Sequence, residues 1–210
     1  PNTVADLVKH MQAAVDIPVT VKHRIGIDDF DSYEFMADFV QTVAAGGCTR
    51  FIVHARTAWL QGLSPKQNRE IPPLRYEDVY RLKQDFPTLD IEINGGIETV
   101  ADIEAHLEHI DGVMIGRAFY HNPYLLAEAN SLWDTPVPKR SVILAQLYPY
   151  LEEQIAKGEA LPTMTRHYLG LFQGLVGARK WRQALSGKPQ LTIDDIKHAA
   201  TEVLALNPDA

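Results

Sequence analysis

The sequence predicts an α/β chain: the C-terminal half of a (β/α)8, or TIM, barrel followed by a small all-α domain. Three observations carry this. Short apolar runs alternate with stretches of helical period across the first 134 residues. Two of these runs, Asp90–Asn94 and Gly112–Ile115, stop at glycines before a helix: Asn94-Gly95-Gly96, then Gly116-Arg117. That spacing, about twenty residues, suits the phosphate site after the last two strands of such a barrel. Beyond Asp134 no strand pattern returns.

The elements follow in order. Val4, Leu7, Val8, Met11 and Val15 have helical spacing. Ile17 to Lys22 is a short β-branched run, read as a buried strand that ends at Lys22. Ser32 can cap a helix reaching about Ala45, and Gly46-Gly47 closes it. Arg50–His54 is the second strand. Residues 57–73 show no periodicity, and a loop of that length is expected to be functional or mobile. Helices are expected near 76–85 and 98–109, before the strands at Ile91 and Val113, with a closing helix near 125–132. Asp134-Thr-Pro-Val-Pro138 reads as a linker. The partial barrel is therefore assigned to 1–134 and the helical domain to 139–210, with helices near 141–157, 163–175, 178–185 and 192–206.

Composition is ordinary for a globular chain, at 46% hydrophobic and 22% charged over 210 residues. That length is short of the roughly 250 residues of a complete barrel. The first residue is Pro1 rather than Met, so a fragment, a processed product or a truncated gene product is expected. No signal peptide or membrane-spanning run is read, and the lone Cys48 suits a reducing, cytoplasmic setting. Net charge is −7. Between Pro136 and Lys188, eight Lys/Arg face three Glu, a surplus of +5 that leaves −12 on the remainder. A basic module thus follows an acidic one, or helix surfaces are basic by chance.

Ligand groups of a parallel sheet gather at the C-terminal strand ends. There stand Lys22, His54, Asn94, Gly116 and Arg117. A lysine closing a buried strand needs an anion or an electron-rich acceptor, unless it reaches solvent. Beside phosphate loops it could face the N1/O2 edge of a flavin. His54 could donate to a cofactor or be satisfied by backbone. The glycines let N–H groups approach a phosphate, and Arg117 adds a guanidinium; plain turn chemistry is the alternative. Cys48 precedes a strand, so it is read as structural and at the opposite end of the barrel. No metal ligand is assigned. Arg179, Lys180 and Arg182 lie around Trp181 and near His167, Tyr168 and Phe172. Such interleaving suits RNA phosphates and base stacking, or else an amphipathic helix with core aromatics.

Several runs together resemble the tRNA-dihydrouridine synthases, subfamily A. They are Val21-Lys-His-Arg-Ile-Gly26, Ile52-Val-His-Ala-Arg56, the loop Trp59–Pro73, Ile93-Asn-Gly-Gly-Ile97, Gly112–Arg117 and the tail Thr165–Arg182. The resemblance implies an FMN enzyme that reduces uridine in the tRNA D-loop with NADPH or NADH. It places Lys22 and His54 against FMN, and Asn94, Gly95, Gly96, Gly116 and Arg117 around the FMN phosphate. It places Gln67, Glu70, Arg179 and Arg182 against tRNA. The family's cysteine acid sits in an Asn-x-Gly-Cys-Pro motif, which this sequence lacks, so no catalytic residue is assigned and no turnover is expected of these residues alone. The alternatives are a non-catalytic tRNA-binding fragment and another phosphate-binding flavin barrel.

Overall fold

A computed structural model describes residues 1–186 and 190–210. Contacts divide the chain into two units, Pro1–Ile115 and Gly116–Ala210. The expected linker at 134–138 lies inside the second.

The first unit holds a four-stranded parallel sheet in chain order: β1 (Val21–Arg24), β2 (Arg50–His54), β3 (Asp90–Asn94) and β4 (Gly112–Met114). Helices α1 (Asn2–Ala14), α2 (Tyr33–Ala45), α3 (Tyr76–Asp85) and α4 (Val100–Leu107) separate or precede the strands. Because every crossover steps the same way, right-handed connections put α2, α3 and α4 on one side of the sheet. Phe51, Val53, Ile91 and Ile93 point to that side and are fully buried, as are Val40 of α2 and Val79 and Leu82 of α3. His23 shares that face, its ring 5.0 Å from Phe39 and 6.0 Å from Phe51.

Local chemistry sets the helix ends. Ser32 Oγ accepts from the Phe35 N–H at 3.1 Å. Thr99 and Asp102 form a reciprocal capping box at α4. Gly47, at φ +106°, follows the end of α2. The first strand departs from expectation. It begins at Val21 rather than Ile17, and Ile17 is 72% exposed. β1 has one neighbour only, so the run at 17–20 has no ladder to join.

In the second unit the described residues form helices: α5 (Arg117–His121), α6 (Tyr124–Glu128), a 3₁₀ turn at Ala129–Trp133, α7 (Arg140–Ala156), α8 (Leu161–Thr165), α9 (Ala178–Ser186) and α10 (Ile193–Leu206). The helix expected over 163–175 stops at Thr165, and 166–177 is a run of turns. Gly174 and Gly177 there adopt φ of +82° and +89°, which no continuing helix allows. Leu144, Leu151, Phe172, Trp181, Leu185 and Ile196 build this unit's core.

Candidate functional site

The strands finish in register at Arg24, His54, Asn94 and Met114. Side chains alternate along a strand, so Lys22, Arg24, His54, Glu92 and Asn94 share the face opposite the helices. Lys22 thus lies inside β1, two residues before its end, and it is exposed because β1 is an edge strand. That corrects the reading of a lysine closing a buried strand. Its Nζ donates to Asn94 Oδ1 at 2.9 Å, and Asn94 Nδ2 donates to the Met114 carbonyl at 2.8 Å. One amide therefore ties together β1, β3 and β4, and its side chain is engaged in positioning Lys22.

Charge is distributed unevenly along this face. At the lower end Arg50 lies 3.2 Å from Asp90 and 3.7 Å from Glu92. At the upper end no carboxylate among the described residues pairs with Lys22 or Arg24. Partial burial lowers the Lys22 pKa, and the neighbouring Arg24 charge lowers it further. Burial likewise lowers Arg24, with Arg56 and Arg69 adding repulsion. An anion placed there would relieve that repulsion.

The turn after β3 is built by glycine. Gly95 and Gly96 have φ of +116° and +70°. A Cβ on Gly96 would sit 2.5 Å from Leu74 Cδ1 and 2.9 Å from Tyr76 Oη. A Cβ on Gly95 would sit 3.3 Å from His54 Nε2. Tyr76 Oη donates to the Gly95 carbonyl at 2.8 Å and holds the turn from behind. Gly116 differs. Its φ is −110°, and a Cβ there would meet no protein atom within 4 Å. Among the described glycines without a positive φ, it alone has no atom within 4 Å of where a Cβ would stand. Its missing Cβ leaves room for close approach of a bound group, which suits a phosphate-bearing cofactor. Arg117, exposed, opens the five-residue α5.

The long loop after β2 is pinned. Arg24 Nη1 donates to the carbonyls of Thr57 and Asn68 at 2.9 and 2.8 Å, and Asn68 Oδ1 accepts from the Trp59 N–H at 2.9 Å. Gln67 and Glu70 project from it, exposed; Gln67 Oε1 accepts from the Ser64 N–H at 2.8 Å. Cys48 is fully buried below β2, its Sγ donating to the Arg50 carbonyl at 3.2 Å, and burial pushes its thiol pKa up.

In the second unit Arg179 and Arg182 are exposed on α9, whereas Trp181 is fully buried with its ring 4.9 Å from Phe172. The amphipathic alternative therefore holds for these two aromatics: they are core and unavailable to bases. Arg140 is also interior, donating from Nε to the Leu171 carbonyl at 2.8 Å beneath the Tyr124 ring. Lys188 lies outside the described residues.

Sequence reasoning missed Arg24 and Tyr76. Arg24 was findable, since it stands two residues beyond Lys22 and so shares its face. Tyr76 carried no such signal, because its contact with Gly95 is tertiary.

The dihydrouridine synthase (Dus) family profile matches residues 1–202. A protein of Vibrio cholerae called tRNA-dihydrouridine(20/20a) synthase is 52% identical over 210 aligned positions, covering 97% of this chain and 64% of that protein. Proteins of the same name are 57% identical in Vibrio parahaemolyticus and 54% identical in Escherichia coli K12, where the chain covers 58% and 59% of their lengths. The chain thus spans about six-tenths of these curated relatives. On this evidence the chain belongs to the dihydrouridine synthase family.

Proposed function

We propose that these residues supply the FMN-phosphate side and the tRNA-binding helices of an enzyme that reduces uridine to 5,6-dihydrouridine in the tRNA D-loop. The printed name of the relatives points to positions 20 and 20a. In this reading the first unit contributes the C-terminal half of a (β/α)8 barrel, and the described part of the second contributes a small helical domain.

The observation that carries the proposal is Lys22, aimed by Asn94 at a cationic strand-end face beside the Gly95-Gly96 turn. Bound FMN, reduced by NADPH or NADH, supplies hydride donation to the uracil ring. Lys22 holds positive charge toward the flavin, and His54 contacts it beside Gly95. The backbone of Asn94, Gly95 and Gly96 approaches the phosphate, and Gly116 and Arg117 are assigned to the same group by family resemblance. Gln67, Glu70, Arg179 and Arg182 face tRNA. Cys48, the sequence's only cysteine, is buried below its strand and cannot serve as a proton donor. These 210 residues are therefore expected to bind without turnover. Among the described residues no helix is long and apolar enough to cross a membrane.

Titration of FMN against the chain, followed by flavin fluorescence, tests the site. Lys22→Ala and Arg117→Ala should each weaken binding about tenfold, the effect of losing one charge-assisted contact. Unchanged affinity in both would remove the assignment. For the helices, tRNA binding should be salt-sensitive and weaker in an Arg179→Ala/Arg182→Ala variant.

A further inference from the structure

The second unit contains an open cleft of about 580 Å³ whose lining includes Tyr120, His121, Arg166, Gly170, Gln173 and Arg182. None of its lining residues is acidic. Its walls are held together at Gly170, where a Cβ would lie 1.7 Å from the His121 carbonyl oxygen. The turn run at 166–173 and the end of α5 therefore meet backbone to backbone.

A short relay sets the donors. Arg166 Nε donates to His167 Nε2 at 3.1 Å, and His167 Nδ1 lies 3.1 Å from Tyr120 Oη. A guanidinium only donates, so Nε2 accepts and the ring proton sits on Nδ1. Nδ1–H then donates to Tyr120 Oη, which leaves the tyrosine O–H to donate elsewhere. The His167 and His121 rings meet the Tyr120 ring edgewise, at 5.8 and 5.9 Å, and Tyr120 is 54% exposed. Two guanidiniums, a phenol O–H and the Gln173 amide thus line one cleft with an exposed aromatic ring. Its volume lies within the range of small-molecule sites, which begins at roughly 300 Å³.

We propose that this cleft receives one unstacked nucleotide of a looped RNA. Arg166 and Arg182 take the phosphate, the Tyr120 ring stacks on the base, and Gln173 meets the base edge. The proposal rests on the reading of this unit as RNA-binding and adds what Arg179 and Arg182 alone do not: a preference for single-stranded nucleotides over duplex.

The test uses the whole chain and a fluorophore-labelled RNA hairpin with a uridine loop, its fully paired duplex counterpart, and uridine monophosphate. Arg166→Gln and Tyr120→Ala should each weaken hairpin binding about tenfold and leave duplex binding unchanged. Arg166→Gln should also lower the salt slope by about one, and Tyr120→Phe should restore most of the affinity lost in Tyr120→Ala. Both side chains are exposed, so unchanged thermal midpoints should accompany these losses. Hairpin binding weakened by Arg179→Ala but untouched by Arg166→Gln and Tyr120→Ala would overturn the cleft and spare the RNA-binding reading. Binding untouched by all three would overturn both. Equal affinity for uridine monophosphate and the hairpin would overturn the RNA assignment in favour of a free nucleotide.

Discussion

Gly96 and Gly116 separate a glycine the fold needs from one that only the proposed phosphate site would need. An alanine at Gly96 meets two costs. The left-handed backbone, at φ +70°, disfavours a Cβ by about 1–2 kcal/mol. The methyl would also sit 2.5 Å from Leu74 Cδ1 and 2.9 Å from Tyr76 Oη. Both atoms are side-chain ends that can shift, so the clash adds only about 1 kcal/mol, the low end of core overpacking. Gly96→Ala should therefore lose about 2–3 kcal/mol in urea unfolding, and Leu74→Ala should recover part of it. Gly116→Ala should behave oppositely. With φ at −110° and no protein atom within 4 Å, the change in stability should stay within about 0.5 kcal/mol. FMN affinity should nevertheless fall about tenfold or more, because the methyl holds the phosphate off its N–H donors. The assay pairs urea unfolding with flavin fluorescence titration on both variants. If Gly116→Ala binds FMN as the parent does, or unfolds as readily as Gly96→Ala, the reasoning fails.

Further predictions concern groups whose role is internal. Arg140→Met should cost about 2–3 kcal/mol in urea unfolding, since it strips a buried donor from the Leu171 carbonyl and a cation from the Tyr124 ring. Gly170→Ala should destabilise by about 1–3 kcal/mol, because the cost falls on backbone, where His121 cannot yield as a flexible side chain does. His106 is buried, and that burial lowers its pKa below 6.5, with Asp102 opposing and His109 reinforcing the shift. The folded state therefore binds its proton later than the unfolded chain. Its contribution is whole above pH 6.5 and is lost as pH falls through the depressed folded value. His106→Gln should flatten the stability profile on that acid side, and an unaltered profile would assign the acid sensitivity elsewhere.

Much of the first unit was legible because its signals are local. Asp90-Ile-Glu-Ile-Asn94 alternates, and the structure buries Ile91 and Ile93 while leaving Asp90, Glu92 and Asn94 on the other face. Ser32 caps α2 with its hydroxyl, and Gly46-Gly47 ends it through backbone, Gly47 at φ +106°. What stayed hidden depends on neighbours. The run Ile17–Lys22 reads like any buried strand, yet pairing with β2 starts only at Val21 and Ile17 is left exposed. Helical spacing over 163–175 does not reveal the close pass of Gly170 against His121 or the positive φ of Gly174 and Gly177, neither of which a continuous helix accommodates. Trp181 looked equally suited to a base or a core, and only the position of Phe172 decides.

The same dependence on neighbours gives Lys22 its meaning. An exposed edge-strand lysine would ordinarily point to water, and nothing in its burial demands a ligand. Here Asn94 holds its Nζ against the sheet, while the Asn94 amide is itself anchored on Met114. Arg24, two residues on, is committed to the carbonyls of Thr57 and Asn68, so it cannot swing away to relieve the repulsion. Arg56 and Arg69 add to it. The lower end of the face shows that carboxylates could have been placed there, since Asp90 and Glu92 serve Arg50 in that way. Lys22 and Arg24 are thus held close together at the upper end of the face, and an anion placed there would relieve their mutual repulsion. That arrangement is what the proposed phosphate-bearing cofactor would meet at the strand ends.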